Sequence, residues 1–388
     1  MRYIGAMVKD LADEKFVLIC GPRQVGKTTL ARAWLKAEGG LYLNWDVPED
    51  RRDILTRAYL DRPGGRALVL DEIHKYQRWK SYLKGLFDRE GERRKVVVTG
   101  SARLDIFQRR GESLFGRHEL LRLHPFSVGE LTHGELRPPP GDWLRPGDAR
   151  PQPGTWARLE RSSGFPEPYT RDDILQKRRW SNRRRTLLVE EDVGDLSQIR
   201  ALTLLEHLAL LLPSRVGSPL SVNGLREELG VAHATAGVWL DVLERLYYCF
   251  RIPPYHRRVA RSLRKERKLY LWDWTDIEDP GARFENMVAA HLLKAVHAWS
   301  DVGYGAFDLR YWRDKDGNEV DFVVTERGRP LVIFECRAAD AAFSKPLCGL
   351  AARLGGIPHV QLVASFDGDV TRRGGRIVQA DRYLANLV

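Results

Sequence analysis

The sequence predicts an α/β protein: a parallel-sheet domain built around a phosphate-binding loop, then a helix-turn-helix module, then a smaller α/β domain. Three observations predict it. Gly21-Pro22-Arg23-Gln24-Val25-Gly26-Lys27-Thr28 is a complete G-x4-G-K-[ST] run between an apolar strand-like segment and a helical one. Ala67-Leu68-Val69-Leu70 is a continuous aliphatic run that ends in Asp71-Glu72, and such runs are typical of parallel strands buried on both faces. Between residues 218 and 250, two helical patterns are joined by a short glycine turn.

The first element is the strand Phe16-Val17-Leu18-Ile19-Cys20, and the helix begins at Thr28-Thr29-Leu30. Backbone N–H groups of a loop at a helix N-terminus form a concave anion site. Residues Gly21 to Thr29 would therefore hold the phosphates of ATP, with Lys27 reaching the β- and γ-phosphates and the Thr28 hydroxyl holding Mg²⁺. A glycine-rich turn with a chance lysine is the competing reading, and the strand–loop–helix context argues against it. Ligands of such sheets sit at the carboxyl ends of strands. Asp71 would thus lie beside Thr28 and hold Mg²⁺ through water, while Glu72 would polarise the attacking water.

A third strand, Lys95-Val96-Val97-Val98-Thr99-Gly100-Ser101, ends in hydroxyl side chains. Thr99 or Ser101 would contact the attacking water or the γ-phosphate as a sensor, or serve only as a turn residue. Downstream, Arg117 is the candidate guanidinium for the γ-phosphate, delivered in cis or from a neighbour, with Arg103 second.

These motifs resemble, in order, those of the prokaryotic AAA-type ATPases of the AAA_14 family that carry a C-terminal DUF4143 domain. The matching stretches are the loop through Leu30, Tyr42-Leu43-Asn44-Trp45-Asp46, Leu70-Asp71-Glu72-Ile73-His74-Lys75, Thr99-Gly100-Ser101-Ala102-Arg103, Leu114-Phe115-Gly116-Arg117 and Gly164-Phe165-Pro166-Glu167-Pro168. The resemblance implies an AAA+ core, a ring of subunits, expected to be a hexamer, and a C-terminal domain similar to PD-(D/E)XK nucleases of the restriction-endonuclease type. The assignment of Arg117 leans partly on it.

Composition narrows the partners. The 388-residue chain suffices for two or three domains with ordinary cores. Its formal net charge of +11 favours a polyanion, nucleic acid and DNA first, although a basic surface also serves solubility. No stretch has the length of a membrane span; Leu204 to Leu212 is the most apolar run and is too short. Met1-Arg2-Tyr3 does not open a secretory signal. Cys20, Cys249, Cys336 and Cys348 are scattered, which indicates neither a zinc site nor a disulfide framework and suits the cytoplasm.

The expected division is a P-loop AAA+ core at 1–135, a Pro/Gly-rich linker and helical lid at 136–200, a winged helix-turn-helix at 201–265 and the nuclease-like domain at 266–388. The segment from Arg137 to Gly154 has no core-forming pattern and reads as an exposed loop or hinge. The following basic run, with Trp180 interleaved before Arg183, Arg184 and Arg185, is either a solvated helix face or a phosphate-contacting one.

In the helix-turn-helix, a first helix over Leu220–Leu229 is closed by Gly230, and a second opens near His233. The second offers His233, Thr235 and Trp239 but few cations near its start, so contact with the DNA backbone is expected rather than base reading. Arg257, Arg258 and Arg261 would sit on a wing, unless the module is only a lid packed on the ATPase.

In the last domain, Asp316-Gly317-Asn318 signals a hairpin between strands carrying Trp312 and Asp321, and the next strand carries Glu335-Cys336-Arg337. Strand alternation puts Glu335 and Arg337 on one face, which Asp321 can share, while Glu285 begins a helix. Converging carboxylates are what Mg²⁺-dependent phosphodiester cleavage needs. The set resembles the E…D…E-x-K pattern of PD-(D/E)XK nucleases, with Arg337 where that pattern has lysine. Arginine stays charged and cannot act as a titratable base. An active nuclease, a degenerate fold that grips nucleic acid or protein, and a buried Glu–Arg pair all remain open at this point.

Overall fold

The computed structural model describes residues 2–62, 65–91, 93–100, 116–190, 199–256, 266–339, 342–366, 368–372 and 374–388. The chain forms two compact units, Met1–Pro125 and Phe126–Val388.

The first unit is a five-stranded sheet of order β2-β3-β4-β1-β5, with β1 at Phe16–Cys20, β2 at Gly40–Asn44, β3 at Ala67–Asp71, β4 at Lys95–Thr99 and β5 at His118–Arg122. Every pairing is parallel. Helix α1 (Gly5–Leu11) precedes the sheet, α2 (Lys27–Glu38) follows β1, α3 (Pro48–Thr56) follows β2, and α4 (Trp79–Glu90) follows β3. β1 and β3 are buried at every position, as their unbroken aliphatic sequences require. One face of the sheet packs Leu18, Leu68, Leu70 and Val96 against Trp79, Leu83 and Leu86 of α4. β4 lies between β1 and β3, so Thr99 stands directly opposite Asp71.

The second unit begins with helices α5 (Val128–His133), α6 (Thr155–Ser162), α7 (Pro166–Arg171), α8 (Ile174–Glu190) and α9 (Ile199–Leu211). The proline-rich stretch from Arg137 to Gly154 is irregular but not a free hinge. Trp143 is buried, its carbonyl accepts from the Tyr383 hydroxyl at 2.7 Å, and the Trp299 indole donates to the Arg137 carbonyl at 2.8 Å. Asn386 brackets Ala149, accepting from its N–H at 2.8 Å and donating to its carbonyl at 3.0 Å. A segment that cannot build a core of its own is thus strapped down through its backbone polar groups, which composition does not reveal.

The helix pair follows as α10 (Val222–Leu229) and α11 (His233–Arg245). Ser221 caps α10 by accepting from the Gly224 N–H, and Gly230 closes it at φ +64°. Next come a two-stranded antiparallel ribbon, β6 (Cys249–Ile252) with β7 (Lys268–Leu271), and the 22-residue α12 (Pro280–Asp301). Asp279 caps α12, and Pro280 occupies its first turn, where no intrahelical N–H is lost.

The last layer is a six-stranded mixed sheet of order β12-β13-β11-β10-β9-β8. Its strands are β8 (Phe307–Arg313), β9 (Glu319–Glu326), β10 (Arg329–Arg337), β11 (His359–Val363), β12 (Asp369–Arg372) and β13 (Gly375–Gln379), with α13 (Lys345–Arg353) and α14 (Ala380–Leu384). β8, β9 and β10 form antiparallel neighbours, whereas β10 and β11 run parallel. Among the described residues no helix is long and apolar enough to cross a membrane.

Candidate nucleotide-binding site

The loop from Gly21 to Lys27 leaves the carboxyl end of β1 and enters α2. Two of its glycines are dictated by geometry. Gly21 has φ +145°, and a side chain there would put Cβ 2.2 Å from the Leu123 carbonyl oxygen. Gly26 precedes α2 at φ +97°, a region closed to most side chains. Gln24 also has positive φ, at +62°. Val25 is fully buried, while Gln24 and Thr29 face solvent.

Lys27 is 7 % exposed. Its ammonium donates to the carbonyls of Gly21 at 2.9 Å and Pro22 at 2.7 Å. Burial pushes its pKa down to about 8, against the opposing pull of Glu72, Cys20 and Asp71. Asp71, at the end of β3, receives three hydroxyls: Thr28 at 2.9 Å, Tyr42 at 2.6 Å, and Thr99. Thr99 is fully buried, and its hydroxyl donates to the Asp71 carboxylate.

Glu72 has left-handed backbone, φ +57°, and its N–H donates to the Thr99 carbonyl at 3.0 Å. A non-glycine residue held there costs on the order of 1 kcal/mol and is a common feature of functional sites. Burial raises the Glu72 pKa, opposed first by Lys27. His74 and Lys75 lie 3.7 Å and 3.9 Å from its carboxylate. The structure therefore gathers Lys27, Thr28, Asp71, Glu72 and Thr99 at the carboxyl end of one sheet. Thr28 and Asp71 present hard oxygen donors side by side, a set that suits Mg²⁺.

Arg117 does not gather there. Ser101 and Arg103 lie outside the described residues. Arg117 immediately precedes β5, and its carbonyl accepts from the N–H of Phe16, the first residue of β1. It therefore sits at the amino end of the sheet, about 15 Å from the loop at roughly 3.3 Å per strand residue. Its side chain binds Asp88 at 2.7 Å. Delivery of this guanidinium to its own chain's γ-phosphate is excluded by that placement.

Sequence reasoning missed Tyr42. It lies in β2, beyond the edge of the motif, and Arg32 stacks 4.2 Å over its ring. Burial and the bond to Asp71 raise its pKa to about 12, so it remains a donor at neutral pH.

In the second unit, Glu285, Asp321 and Glu335 also converge, but around a residue the sequence did not single out. Lys268 of β7 has a side chain with no exposure, and its ammonium lies 3.1 Å from Glu285, 3.2 Å from Asp321 and 2.5 Å from Glu319. Burial opposes its charge, but Asp321, Glu285 and Glu319 outweigh burial and raise its pKa. Tyr270 donates to Glu285 at 2.7 Å, and the Cys336 N–H donates to Asp321 at 2.9 Å. Burial and then Asp321 raise the pKa of both Glu285 and Glu335. Arg337 donates to Glu335 at 2.7 Å and Ser344 to the same oxygen at 3.3 Å. Among the described residues the other Glu335 oxygen, which is buried, has no hydrogen-bond partner.

The expected DNA contacts separate by burial. Arg183 is exposed, as are Arg178 and Arg179. Arg185 is half-buried, bonded to Asn182 and 3.8 Å from Asp276. Arg184 is 5 % exposed, lies 4.3 Å over the Phe165 ring and donates to the Tyr247 carbonyl at 2.9 Å. It is a packing residue, withdrawn from any phosphate. His233 is exposed, whereas Trp239 is buried at 8 % exposure and is not offered to a ligand. Arg257, Arg258 and Arg261 lie outside the described residues.

A phosphate-binding loop, an acidic strand end and a parallel sheet of order β2-β3-β4-β1-β5 define the P-loop AAA class. Residues 13–132 match the AAA domain family AAA_14, residues 159–275 match a domain of unknown function, DUF8612, and residues 280–379 match another, DUF4143. The chain is an AAA-type protein with a C-terminal DUF4143 domain. It is 26% identical over 330 residues to uncharacterized proteins of Mycobacterium bovis and Mycobacterium tuberculosis, covering 81% of this chain and 68% of each relative. Among solved structures it is similar to the Thermotoga maritima RuvB Holliday junction branch migration motor, with 18% identity, a TM-score of 0.31, and coverage of 64% of this chain and 87% of that one. A second is a signal transduction ATPase with a tetratricopeptide repeat sensor from Pyrococcus horikoshii, with 13% identity, a TM-score of 0.22, and coverage of 76% and 47%.

Proposed function

We propose that this protein is an Mg-ATP hydrolase whose turnover is coupled to DNA binding or remodelling. The observation that carries the reading is the 2.9 Å bond between Thr28 and Asp71 beside the buried Lys27. Lys27 exchanges its two carbonyl partners for phosphate oxygens, the loop amides hold the β-phosphate, and Thr28 with Asp71 would hold Mg²⁺. Bound Mg²⁺ supplies charge neutralisation of the phosphates. Tyr42 and Thr99 orient Asp71, and Glu72, fixed by its left-handed turn, takes the proton of the attacking water. Arg117 would serve a neighbouring subunit, which favours a ring, a hexamer on the family resemblance.

The DNA-coupled part of the proposal rests on the net charge of +11 and on Arg178, Arg179 and Arg183, exposed on α8. The helix pair α10–α11 with the ribbon β6–β7 is read as a winged helix. The test is ATPase rate with single-stranded, duplex and branched DNA, with K27A as control. Stimulation by one form supports the reading, and equal rates in every arm reject the DNA coupling. A second reading, a nucleotide-switched interaction protein, is favoured by the outer face of α11. That face shows Ala234, Val238 and Asp241, with Arg245 as a single cation in the last turn, and this reading predicts little salt-dependent DNA affinity.

A further inference from the structure

The carboxylates of the second unit converge, yet most of their oxygens are already engaged. Lys268 touches Glu285, Glu319 and Asp321 at once. The second Asp321 oxygen accepts the Cys336 N–H at 2.9 Å, and the second Glu319 oxygen faces Arg313 at 3.5 Å. One Glu335 oxygen takes both Arg337 and Ser344. What is left is the unpartnered Glu335 oxygen and the second Glu285 oxygen, since Lys268 and Tyr270 both bond the first. Two separate oxygens are far from the six ligands a hard divalent cation gathers. Among the described residues no group of His, Cys, Asp and Glu is disposed to hold a metal ion. An ammonium within about 3 Å of the same oxygens would moreover repel a second cation through low-dielectric surroundings.

We propose that Lys268 is a built-in counter-ion standing where a divalent cation would, so that the cluster is a closed electrostatic joint and not a phosphodiester-cleaving centre. The joint ties three elements: β7 of the ribbon through Lys268, α12 through Glu285, and β9 through Glu319 and Asp321. Tyr270, two residues along β7, adds a second bond from the ribbon to Glu285 at 2.7 Å. The backbone is shaped around this contact as well. Gly217, at φ +76°, passes so close that a Cβ there would lie 3.2 Å from the Glu285 carboxylate. A cation supplied by the chain needs no entry path, which accords with the absence of any exposure of the Lys268 side chain.

The probe is Mn²⁺ alone, counted per full-length chain by electron paramagnetic resonance in the absence of nucleotide. With Lys268 intact, Glu285→Gln and Glu335→Gln should leave the Mn²⁺ count unchanged; loss of one Mn²⁺ in either overturns the proposal. Lys268→Met should add one Mn²⁺ per chain, and adding Glu285→Gln should remove it again. A folded Lys268→Met protein that gains none also overturns the proposal. If Lys268→Met does not fold, the two single carboxylate variants decide.

Discussion

Each unit of this molecule holds carboxylates beside a buried lysine, and the two clusters differ in what the lysine touches. Lys27 donates to the backbone carbonyls of Gly21 and Pro22, leaving Asp71 to the hydroxyls of Thr28, Tyr42 and Thr99. Lys268 donates directly to Glu285, Glu319 and Asp321. Carbonyls and hydroxyls are neutral partners that a phosphate or a metal can replace at little electrostatic cost. A carboxylate–ammonium contact in a low-dielectric interior is not released so readily. The same pair of residue types thus makes a receptive site in one place and a closed one in the other.

The largest expected effect breaks the second cluster. Lys268→Met leaves three half-buried carboxylates without their shared ammonium and should destabilise the protein by about 3 kcal/mol, read as a fall in the urea midpoint. Lys27→Met should leave that midpoint near its original value, since Lys27 is bonded to neutral carbonyls. Next in size, Glu72→Gln should retain ATP binding while turnover falls about 100- to 1000-fold, the scale of general-base loss. Turnover at the original rate in that variant would remove Glu72 from the mechanism.

A third test uses pH. In the free protein Lys27 loses its proton as pH rises through about 8. Bound phosphate favours the ammonium, so binding takes up a proton above that pH. ATP affinity should therefore weaken by up to about tenfold per unit between pH 8 and 9.5, measured by titration calorimetry, and K27A should show a flat profile. The smallest effect is Tyr42→Phe, which removes one hydroxyl from Asp71. It should raise the Mg²⁺ concentration for half-maximal turnover about fivefold, near 1 kcal/mol, and an unchanged requirement would make Tyr42 a packing residue only.

The nucleotide loop was legible because its chemistry is contiguous: eight neighbouring residues and the strand before them specify it. Asp71 was legible because an aliphatic strand points to its own carboxyl end. Lys268 was not, since Lys268-Leu269-Tyr270-Leu271 reads as any short edge strand, and only the fold brings Glu285 and Asp321 around it. Arg184 carried a signal that charge counting obscured. It is four residues from Trp180, on the same helix face, and both pack on Phe165. Tyr42 required the strand order, which pairs β2 with β3 and places its hydroxyl at Asp71.

Arg117, bonded to Asp88 at the amino end of β5, has a consequence for measurement. If it completes the proposed hydrolytic site, each chain carries a piece it cannot use and lacks a piece it needs. Specific activity then ceases to be a constant of the molecule. It falls when the protein is diluted, and a few inactive chains silence more sites than their own number.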